Sequence, residues 1–338
     1  MAALCLLRAG AQTANYTPTK ENLQARETFR SDRFGIFIHW GLYTMAGDGE
    51  WMMHNRNVDR DEYARLAGGF YPAAFDADRW VKAVADAGAK YICVTTRHHD
   101  GFSMFATRES DFNIIEATPR RDVIRELADA CARHGVRLHL YYSHLDWRRD
   151  DYFPRGRTGL GTGRTREGRW DDYCAFMNRQ LTELLTGYGD VNVLWLDAGW
   201  VRSPEEPIGM DAIAEAARRL QPSILVVDRE VHGPNENYRT PEQEIPDSVL
   251  DHPWESCITM TRGWCSMRPD EAIKPMRRIV SNLLAIVSRG GNYLIGIGPD
   301  GSGRMSKWVR RGLDELGSFL GVNGPGIFAT RPWEHGER

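Results

Sequence analysis

The chain alternates short apolar segments, rich in β-branched residues, with longer segments whose apolar residues recur every three or four positions. The first pattern is typical of buried parallel strands and the second of amphipathic helices, so together they predict a parallel sheet with crossover helices. Six strands are predicted, at 34–40, 91–99, 136–143, 191–197, 223–229 and 292–298. The helices predicted between them cover 76–88, 120–134, 170–187, 209–220 and 270–289.

Nearly every predicted strand is apolar until its last residues and then ends in side chains that can do chemistry. These ends are His39 with Trp40, His98 with His99, Tyr142 with Ser143, then Asp197 and Arg229. In a (β/α)8 barrel the carboxyl ends of the strands converge on one face, where active sites are built. The sequence therefore predicts a (β/α)8 barrel with a common site at that face.

Composition argues against nucleic-acid binding and only weakly favours a carbohydrate ligand. The 338 residues suit one large α/β barrel, and a net charge of -3 with a pI near 6.4 offers no basic field for nucleic acid. The six cysteines form no CxxC pair, which indicates isolated thiols. No apolar run beyond the N-terminus is long enough to span a membrane. Eleven tryptophans, twelve tyrosines and ten histidines favour a carbohydrate ligand weakly, because most aromatic side chains fill core.

Two segments fall outside the strand and helix pattern. Residues 1–14 are apolar and small and resemble the end of a secretory signal, although no basic residues come before their apolar run and Arg8 interrupts that run. We expect 1–14 to be the remnant of a leader and 15–338 to be the catalytic barrel. The protein would then be periplasmic or secreted, with a cytoplasmic location as the alternative. The glycine-rich segment 155–164 follows no strand directly and is predicted to be a flexible surface loop.

Asp197 ends a strongly apolar strand, VNVLWLD, with Trp195 and Trp200 on either side. A carboxylate among aromatic rings can attack or stabilise an oxocarbenium-like sugar carbon, whereas the alternative is a cap on the next helix. A second carboxylate would have to serve as acid and base. Glu242 and Glu255 are the candidates, and both are predicted to lie in proline-broken loop.

His39, His98 and His99 have two competing uses. Three imidazoles could bind zinc, with Asp197 or Asp100 as a further ligand. They could instead exchange hydrogen bonds with sugar hydroxyls. Metal-dependent hydrolases built on barrels generally present HxH, with both rings on one face, and the adjacent pair does not match that spacing. The pattern therefore favours hydroxyl recognition over metal binding.

Several long blocks of the chain resemble the α-L-fucosidases, in the order found in that retaining glycoside hydrolase family. The blocks include RFGIFIHWGLYTMAGDGEWMMH (33–54), YICVTTRHHDGFSMF (91–105), VLWLDAGW (193–200), YRTPEQ (238–243) and GGNYLIGIGPDGSG (290–303). The resemblance covers about residues 18 to 335. It implies an irregular (β/α)8 TIM-like barrel and exo-acting hydrolysis of terminal α-L-fucosyl residues of fucosylated oligosaccharides or glycoconjugates. It also implies double displacement through a covalent fucosyl-enzyme intermediate, with neither metal nor cofactor.

The same resemblance implies a role for individual residues. Asp197 matches the nucleophile of the family, and Glu242 aligns with the usual general acid/base. Because the position of that glutamate varies among relatives, Glu255 stays a second candidate. Eight further residues match positions that line the fucose pocket: His39, Glu50, Trp51, His98, His99, Tyr142, Trp195 and Arg229.

The chain departs from the family pattern at two places. Where relatives commonly read Ser-Trp-Gly-Tyr, this chain has Gly263, Trp264 and Cys265, so the local loop and its contacts to a leaving group are open. The chain also ends at Arg338, where many relatives continue into a β-sandwich; we expect either a barrel-only form or a truncated chain. A metal-dependent barrel hydrolase and a catalytically silent fucose-binding protein remain as alternatives, and the sequence does not predict an oligomeric state.

Overall fold

The structure is a computed structural model that describes residues 16–117, 120–152, 158–165, 168–198, 207–229, 233–268 and 271–332. The expected leader at 1–14, Trp200, and residues 155–157 of the glycine-rich segment lie outside the described residues. The rest of that segment has no helix or strand, but Thr162 and Arg164 are buried in it. The described part is therefore a loop, as predicted, with Leu160 exposed at the surface and Thr162 and Arg164 anchored beneath it.

Within the described ranges, seven parallel strands form a single sheet. They are β1 Phe34–Ile38, β2 Tyr91–Arg97, β3 Arg137–Ser143, β4 Val193–Asp197, β5 Leu225–Asp228, β6 Glu255–Thr259 and β7 Asn292–Ile297. Their order is β5-β4-β3-β2-β1-β7-β6, and every pairing is parallel. All six predicted strands are present. β6 was not predicted, because its sequence ESCIT lacks a long apolar run and follows a proline.

An irregular segment, 237–243, fills the gap between β5 and β6. The backbone N–H of Asn237 donates to the carbonyl of Val226 at 2.8 Å, and the N–H of Gln243 donates to the carbonyl of Cys257 at 2.9 Å. A proline inside the segment removes one backbone donor, which explains why it pairs only by isolated bridges. The segment stands where an eighth strand would, so the fold is the expected irregular (β/α)8 barrel.

Helices pack against the outside of the sheet and in the loops at its two ends. They are α1 Lys20–Asp32, α2 Tyr43–Ala46, α3 Met52–Asn55, α4 Arg60–Ala64, α5 Ala77–Asp86, α6 Ile114–Ala117, α7 Val123–His134, α8 Trp170–Gly187, α9 Met210–Leu220, α10 Met276–Ser288 and α11 Lys307–Asn323, with 3-10 turns at Arg65–Gly69 and Gly324–Gly326. Asp76 and Asp122 cap the N-termini of α5 and α7. The helix predicted from 270 begins only at Met276, because Pro275 precedes it. Among the described residues, no helix has the length and apolarity to cross a membrane.

Apolar side chains form two cores, one inside the barrel and one between the sheet and the helices. Alternate residues of a strand point to opposite faces, so Tyr141 lies inside the barrel while Tyr142 faces the helices. On β4, the inner core includes Trp195, and Asp197 follows on the same face two residues later. The inner core thereby forms the floor on which the polar strand ends lie.

Candidate active site

The carboxyl end of the barrel brings most of the predicted site residues together. Asp197 ends β4 and Arg229 follows β5, while Glu242 comes from the closing segment. His39 follows β1, and His98 with His99 follows β2. Hydrogen bonds, ion pairs and ring contacts join these residues into one buried cluster.

Asp197 is 6% exposed and held on both oxygens. The hydroxyl of Tyr141 donates to Oδ2 at 2.6 Å, and a guanidinium nitrogen of Arg229 donates to Oδ1 at 3.3 Å. Burial by itself would raise the pKa of Asp197, but Arg229, His99 and the hydrogen bonds outweigh it and lower that pKa well below its ordinary value. The next residue, Ala198, has φ of 80°, which turns the chain away at once. Asp197 is therefore an ionised carboxylate, fixed in place at neutral pH.

Arg229 links Asp197 to Glu242. One guanidinium nitrogen contacts Asp197 and the other donates to Oε2 of Glu242. The second oxygen of Glu242, Oε1, accepts from the indole N–H of Trp264 at 2.9 Å. Burial would lower the pKa of Arg229, but the two carboxylates outweigh it and raise that pKa. The site thus has one guanidinium between two carboxylates. The side chain of Glu242 is the more accessible of the two acids, about 30% exposed against 8% for the side chain of Asp197.

The two adjacent histidines both face this cluster. β2 ends at Arg97 after a register shift against β3, so the strict alternation of a strand no longer applies at His98 and His99. Their ring centroids are 4.1 Å apart, and His98 stacks on Tyr141 at 5.5 Å. His99 shares a hydrogen bond of 2.6 Å between Nδ1 and Oγ of Ser143, and its Nε2 lies 3.8 Å from Asp197.

These imidazoles are neutral at physiological pH. Burial lowers the pKa of His39 and of His98 to about 3, and it lowers the pKa of His99 as well. The Nδ1 atoms of His39 and His98 are buried and have no hydrogen-bond partner within the described part of the chain. A neutral imidazole has one donor and one acceptor, which is the set that a sugar hydroxyl requires.

Aromatic and acidic side chains form the wall of the site. The ring of Trp51 meets His99 edge-on at 5.3 Å, and the ring of Trp264 stacks on His39 at 4.9 Å. Burial raises the pKa of Glu50, which accepts hydrogen bonds from the thiol and backbone of Cys265. Sequence reasoning expected Trp51 and Glu50 here, and the structure places them beside the cluster.

Three predicted site residues lie elsewhere. Tyr142 faces outward, where its hydroxyl donates to Gln180 at 2.8 Å, so the pocket position predicted for it was wrong by one residue. Trp195 is in the inner core below the site, and its indole N–H points to Glu255 at 3.3 Å. Glu255 is the first residue of β6, fully buried at the amino end of the strand, and does not lie in a loop as predicted.

Two residues with contacts in the cluster were missed by sequence reasoning, Tyr141 and Trp264. Ser143 was expected at the site as a strand end, and the structure makes it the partner of His99. Tyr141 could have been found from the alternation of strand residues, because it precedes Ser143 by two positions and therefore lies on the same face of β3. Trp264 gave no usable signal beyond its unusual local sequence.

Metal-ligand atoms also come together here. One ligand atom each from His98, His99 and Asp197 lies within 4.8 Å of the others. His39 is not part of this group, and Asp100 accepts a hydrogen bond from Tyr63 at 2.7 Å instead. The guanidinium of Arg229 already neutralises Asp197, and a positive charge at that distance opposes binding of a cation.

Two carboxylates joined by one arginine at the carboxyl end of a (β/α)8 barrel, among neutral imidazoles and indoles, define the class: a glycoside hydrolase. Comparison with known proteins agrees. The model of the family described as Alpha-L-fucosidase matches residues 3–325. The chain belongs to the α-L-fucosidase family.

Individual relatives agree along nearly the whole chain. The putative alpha-L-fucosidase of Caenorhabditis elegans is 28% identical over 95% of this chain and 71% of its own length. The human tissue alpha-L-fucosidase is 28% identical over 97% of this chain and 75% of its own. Among solved structures, alpha-L-fucosidase isoenzyme 1 from Paenibacillus thiaminolyticus superposes with a TM-score of 0.87 at 30% identity, covering 94% of this chain and 80% of that one.

Proposed function

We propose that this chain is a retaining exo-α-L-fucosidase in which Asp197 is the nucleophile and Glu242 the general acid/base. The observation that carries the proposal is the single guanidinium of Arg229, which contacts both carboxylates. Retaining glycosidases hold their two carboxyl groups roughly 5–5.5 Å apart, whereas inverting ones leave a wider gap for a water molecule. An arginine that contacts both carboxylates is consistent with the shorter separation found in retaining enzymes.

In the first step, an oxygen of Asp197 attacks C1 of the fucosyl group as the bond from C1 to the leaving-group oxygen breaks. Glu242 gives its proton to that oxygen, so the leaving group departs as a neutral alcohol. Asp197 suits this role because its lowered pKa keeps it ionised. Glu242 gives this proton from its neutral form, in which its carbonyl oxygen can still accept from Arg229.

In the second step, Glu242 takes a proton from water, and the water oxygen attacks C1. The ester bond to Asp197 breaks, the Asp197 carboxylate is restored, and α-L-fucose leaves with its configuration retained. Arg229 is placed to stabilise the carboxylate that reappears on Asp197. Glu242 is again protonated, as it was before the first step.

The neutral imidazoles supply substrate recognition. His39 and His98 can exchange hydrogen bonds with ring hydroxyls without placing a positive charge against the oxocarbenium-like carbon, because burial keeps the pKa of both near 3. Trp51 and Trp264 add flat apolar faces for the sugar ring. The fucosylated glycan is therefore recognised by its terminal sugar.

A metal-dependent hydrolysis at the same place has one observation in its favour, the grouping of His98, His99 and Asp197. The position of Arg229 beside Asp197 favours the metal-free mechanism.

We also propose that the protein acts outside the cytoplasm, because residues 1–14 are apolar and small like the end of a secretory signal. N-terminal sequencing of protein recovered from the periplasm or the medium would test this; recovery from the cytoplasm alone would contradict it.

The experiment that tests the proposed function is hydrolysis of an aryl α-L-fucoside followed by NMR from the first turnover. We expect α-L-fucose to appear first and to equilibrate afterwards with the β-anomer. Initial release of β-L-fucose would overturn the retaining mechanism. Absence of hydrolysis by folded wild-type protein would overturn the activity itself.

A further inference from the structure

A histidine and an aspartate form a buried pair beside the strand end that carries Asp197. Asp228 is the last residue of β5, and His144 directly follows β3. A hydrogen bond of 2.9 Å joins Nε2 of the imidazole to Oδ1 of the carboxylate, and neither side chain is more than 2% exposed. No step of the proposed double displacement uses either residue. We call them the His144–Asp228 pair.

The pair occupies a place where apolar side chains would pack. Alternate residues of β5 point to opposite faces, so Asp228 lies on the outer face with Val226, one residue after Val227 of the inner core. The neighbouring position on β4 is Leu196. Burying a carboxylate and an imidazole there costs free energy, and their mutual hydrogen bond commonly offsets only part of that cost. The pair is therefore better explained by what it positions than by stability.

The backbone next to the pair holds the end of β4 from both sides. The backbone N–H of His144 donates to the carbonyl of Asp197 at 3.0 Å. The backbone N–H of Arg229, the residue after Asp228, donates to the carbonyl of Leu196 at 3.1 Å. The hydrogen bond between the two side chains closes this ring of contacts. The ends of β3, β4 and β5 therefore cannot separate, where Asp197 and Arg229 leave the sheet, without breaking that hydrogen bond.

Within the described ranges, the two side chains bond only to each other. Nδ1 of His144 and Oδ2 of Asp228 are buried and have no hydrogen-bond partner there. The carbonyl of His144 accepts from the hydroxyl of Tyr173 at 2.6 Å, which anchors this residue to α8. The pair is thus a single link, with one end fixed to a helix and the other end beside Arg229.

We propose that the His144–Asp228 pair is a positioning pair that holds Arg229 in register with Asp197, so that one guanidinium contacts both carboxylates. This inference rests on the proposed function, in which Arg229 stabilises the carboxylate that reappears on Asp197. The pair acts through Arg229 and contacts no reacting atom. It should therefore affect kcat and leave the binding of fucose unchanged, because the imidazoles that recognise the sugar follow other strands.

The main test replaces both members by leucine, which has the branched shape of aspartate without its charge. Apolar replacement of a buried charged or polar pair is often neutral or stabilising, so His144→Leu/Asp228→Leu should unfold in urea no earlier than wild type. Its kcat on an aryl α-L-fucoside should nevertheless fall roughly 10- to 100-fold, because the guanidinium is no longer held in place. The inhibition constant of L-fucose should stay within about twofold of the wild-type value.

Three further variants separate positioning from a general loss of structure. His144→Gln keeps an N–H at the place of Nε2 and should retain kcat within about threefold. Arg229→Lys has a single ammonium that cannot bridge two carboxylates as a guanidinium does, so removing the pair in that background should lower kcat by no more than about a further twofold. The control is another His–Asp pair, His134 with Asp78 at 3.1 Å, where α7 ends and the chain enters β3 at its amino end. Leucine at both of those positions should leave kcat unchanged.

Wild-type kcat in the folded leucine variant would overturn the proposal, as would the full loss repeated in the Arg229→Lys background. Weakened inhibition by L-fucose in proportion to kcat would also overturn it, because the whole pocket would then be distorted. If the leucine variant does not fold, His144→Leu/Asp228→Asn replaces it with the same expected results, and failure of both to fold would show a structural role instead. Absence of hydrolysis by the wild type would refute the proposed function itself.

Discussion

Glu255 provides a test of the fold and of the catalytic assignment together. Its carboxyl is fully buried beneath the site, where it accepts hydrogen bonds from the hydroxyl of Tyr91 at 2.6 Å and from the indole of Trp195 at 3.3 Å. Replacing it by glutamine removes the charge at nearly constant volume. The tyrosine hydroxyl can turn to accept from the new amide, and the amide oxygen can still accept from the indole.

The magnitude follows from the pKa. Burial raises the pKa of Glu255 from its ordinary value of 4.5 to about 7, against the opposing effect of its hydrogen bonds. The difference of about 2.5 pKa units corresponds to about 3 kcal/mol, at about 1.36 kcal/mol per unit. Because the pKa is higher in the folded state, ionisation costs nothing below about pH 4.5 and destabilises the wild type progressively as the pH rises through 7. Glu255→Gln has no carboxyl to ionise at this position, so this loss of stability at high pH is absent from the variant.

Urea unfolding of wild type and Glu255→Gln at pH 4.5 and pH 8 measures the effect. The free energy of unfolding of the variant, minus that of the wild type, should be about 3 kcal/mol higher at pH 8 than at pH 4.5, because the variant does not lose stability as the pH rises. Glu215→Gln is the matched control, since the side chain of Glu215 is 79% exposed, and it should show no such change. A relative stability of Glu255→Gln that stays constant with pH would refute the reasoning. The variant should also keep its activity on a fucosyl oligosaccharide, whose poor leaving group needs an acid, which would remove Glu255 as a candidate acid/base.

Three further outcomes are expected at the catalytic site. Glu242→Gln should lower kcat on a fucosyl oligosaccharide by about 10²- to 10⁴-fold and far less on an activated aryl fucoside, in parallel steady-state assays; equal losses would contradict its role as acid. Tyr141→Phe should lower kcat/KM about tenfold or more, because it removes the hydroxyl that donates to Asp197. Tyr142→Phe, which removes the hydrogen bond to Gln180 instead, should lower the free energy of unfolding by about 1 kcal/mol and leave activity unchanged. Incubation with EDTA should leave activity unchanged; loss that zinc restores would support the metal alternative.

The sequence predicted the barrel from two features. Short apolar runs alternate with segments whose apolar residues recur every three or four positions, and most of the apolar runs end in polar side chains. The sequence predicted Tyr142 at the site, whereas the structure has the hydroxyl of Tyr141 there, on Asp197. Strands of a parallel barrel are buried on both faces, so alternation of apolar and polar residues is not visible there. The short strand β6 was missed for a related reason, because ESCIT carries only one strongly apolar β-branched residue.

The position of Glu242 also depends on contacts that no local pattern contains. Its segment was expected to be loop, and it is held by isolated bridges to β6 and by Arg229, which lies 13 positions earlier in the chain. The histidine pair was interpreted from its residue types, its spacing and the family resemblance. The structure adds the reason that both rings face one site, which is that β2 ends at Arg97 before either of them.

The most direct test of the account is to trap the covalent intermediate. A 2-deoxy-2-fluoro-L-fucosyl fluoride slows both steps by destabilising the oxocarbenium-like transition state, while its reactive fluoride lets the first step proceed, so the ester accumulates. Peptide mapping by mass spectrometry should find one fucosyl adduct per chain, on Asp197, and none in Asp197→Asn. A label on Glu242 or on another residue, or turnover of the reagent by wild type with no adduct at any time point, would contradict the assignment of Asp197 as the nucleophile.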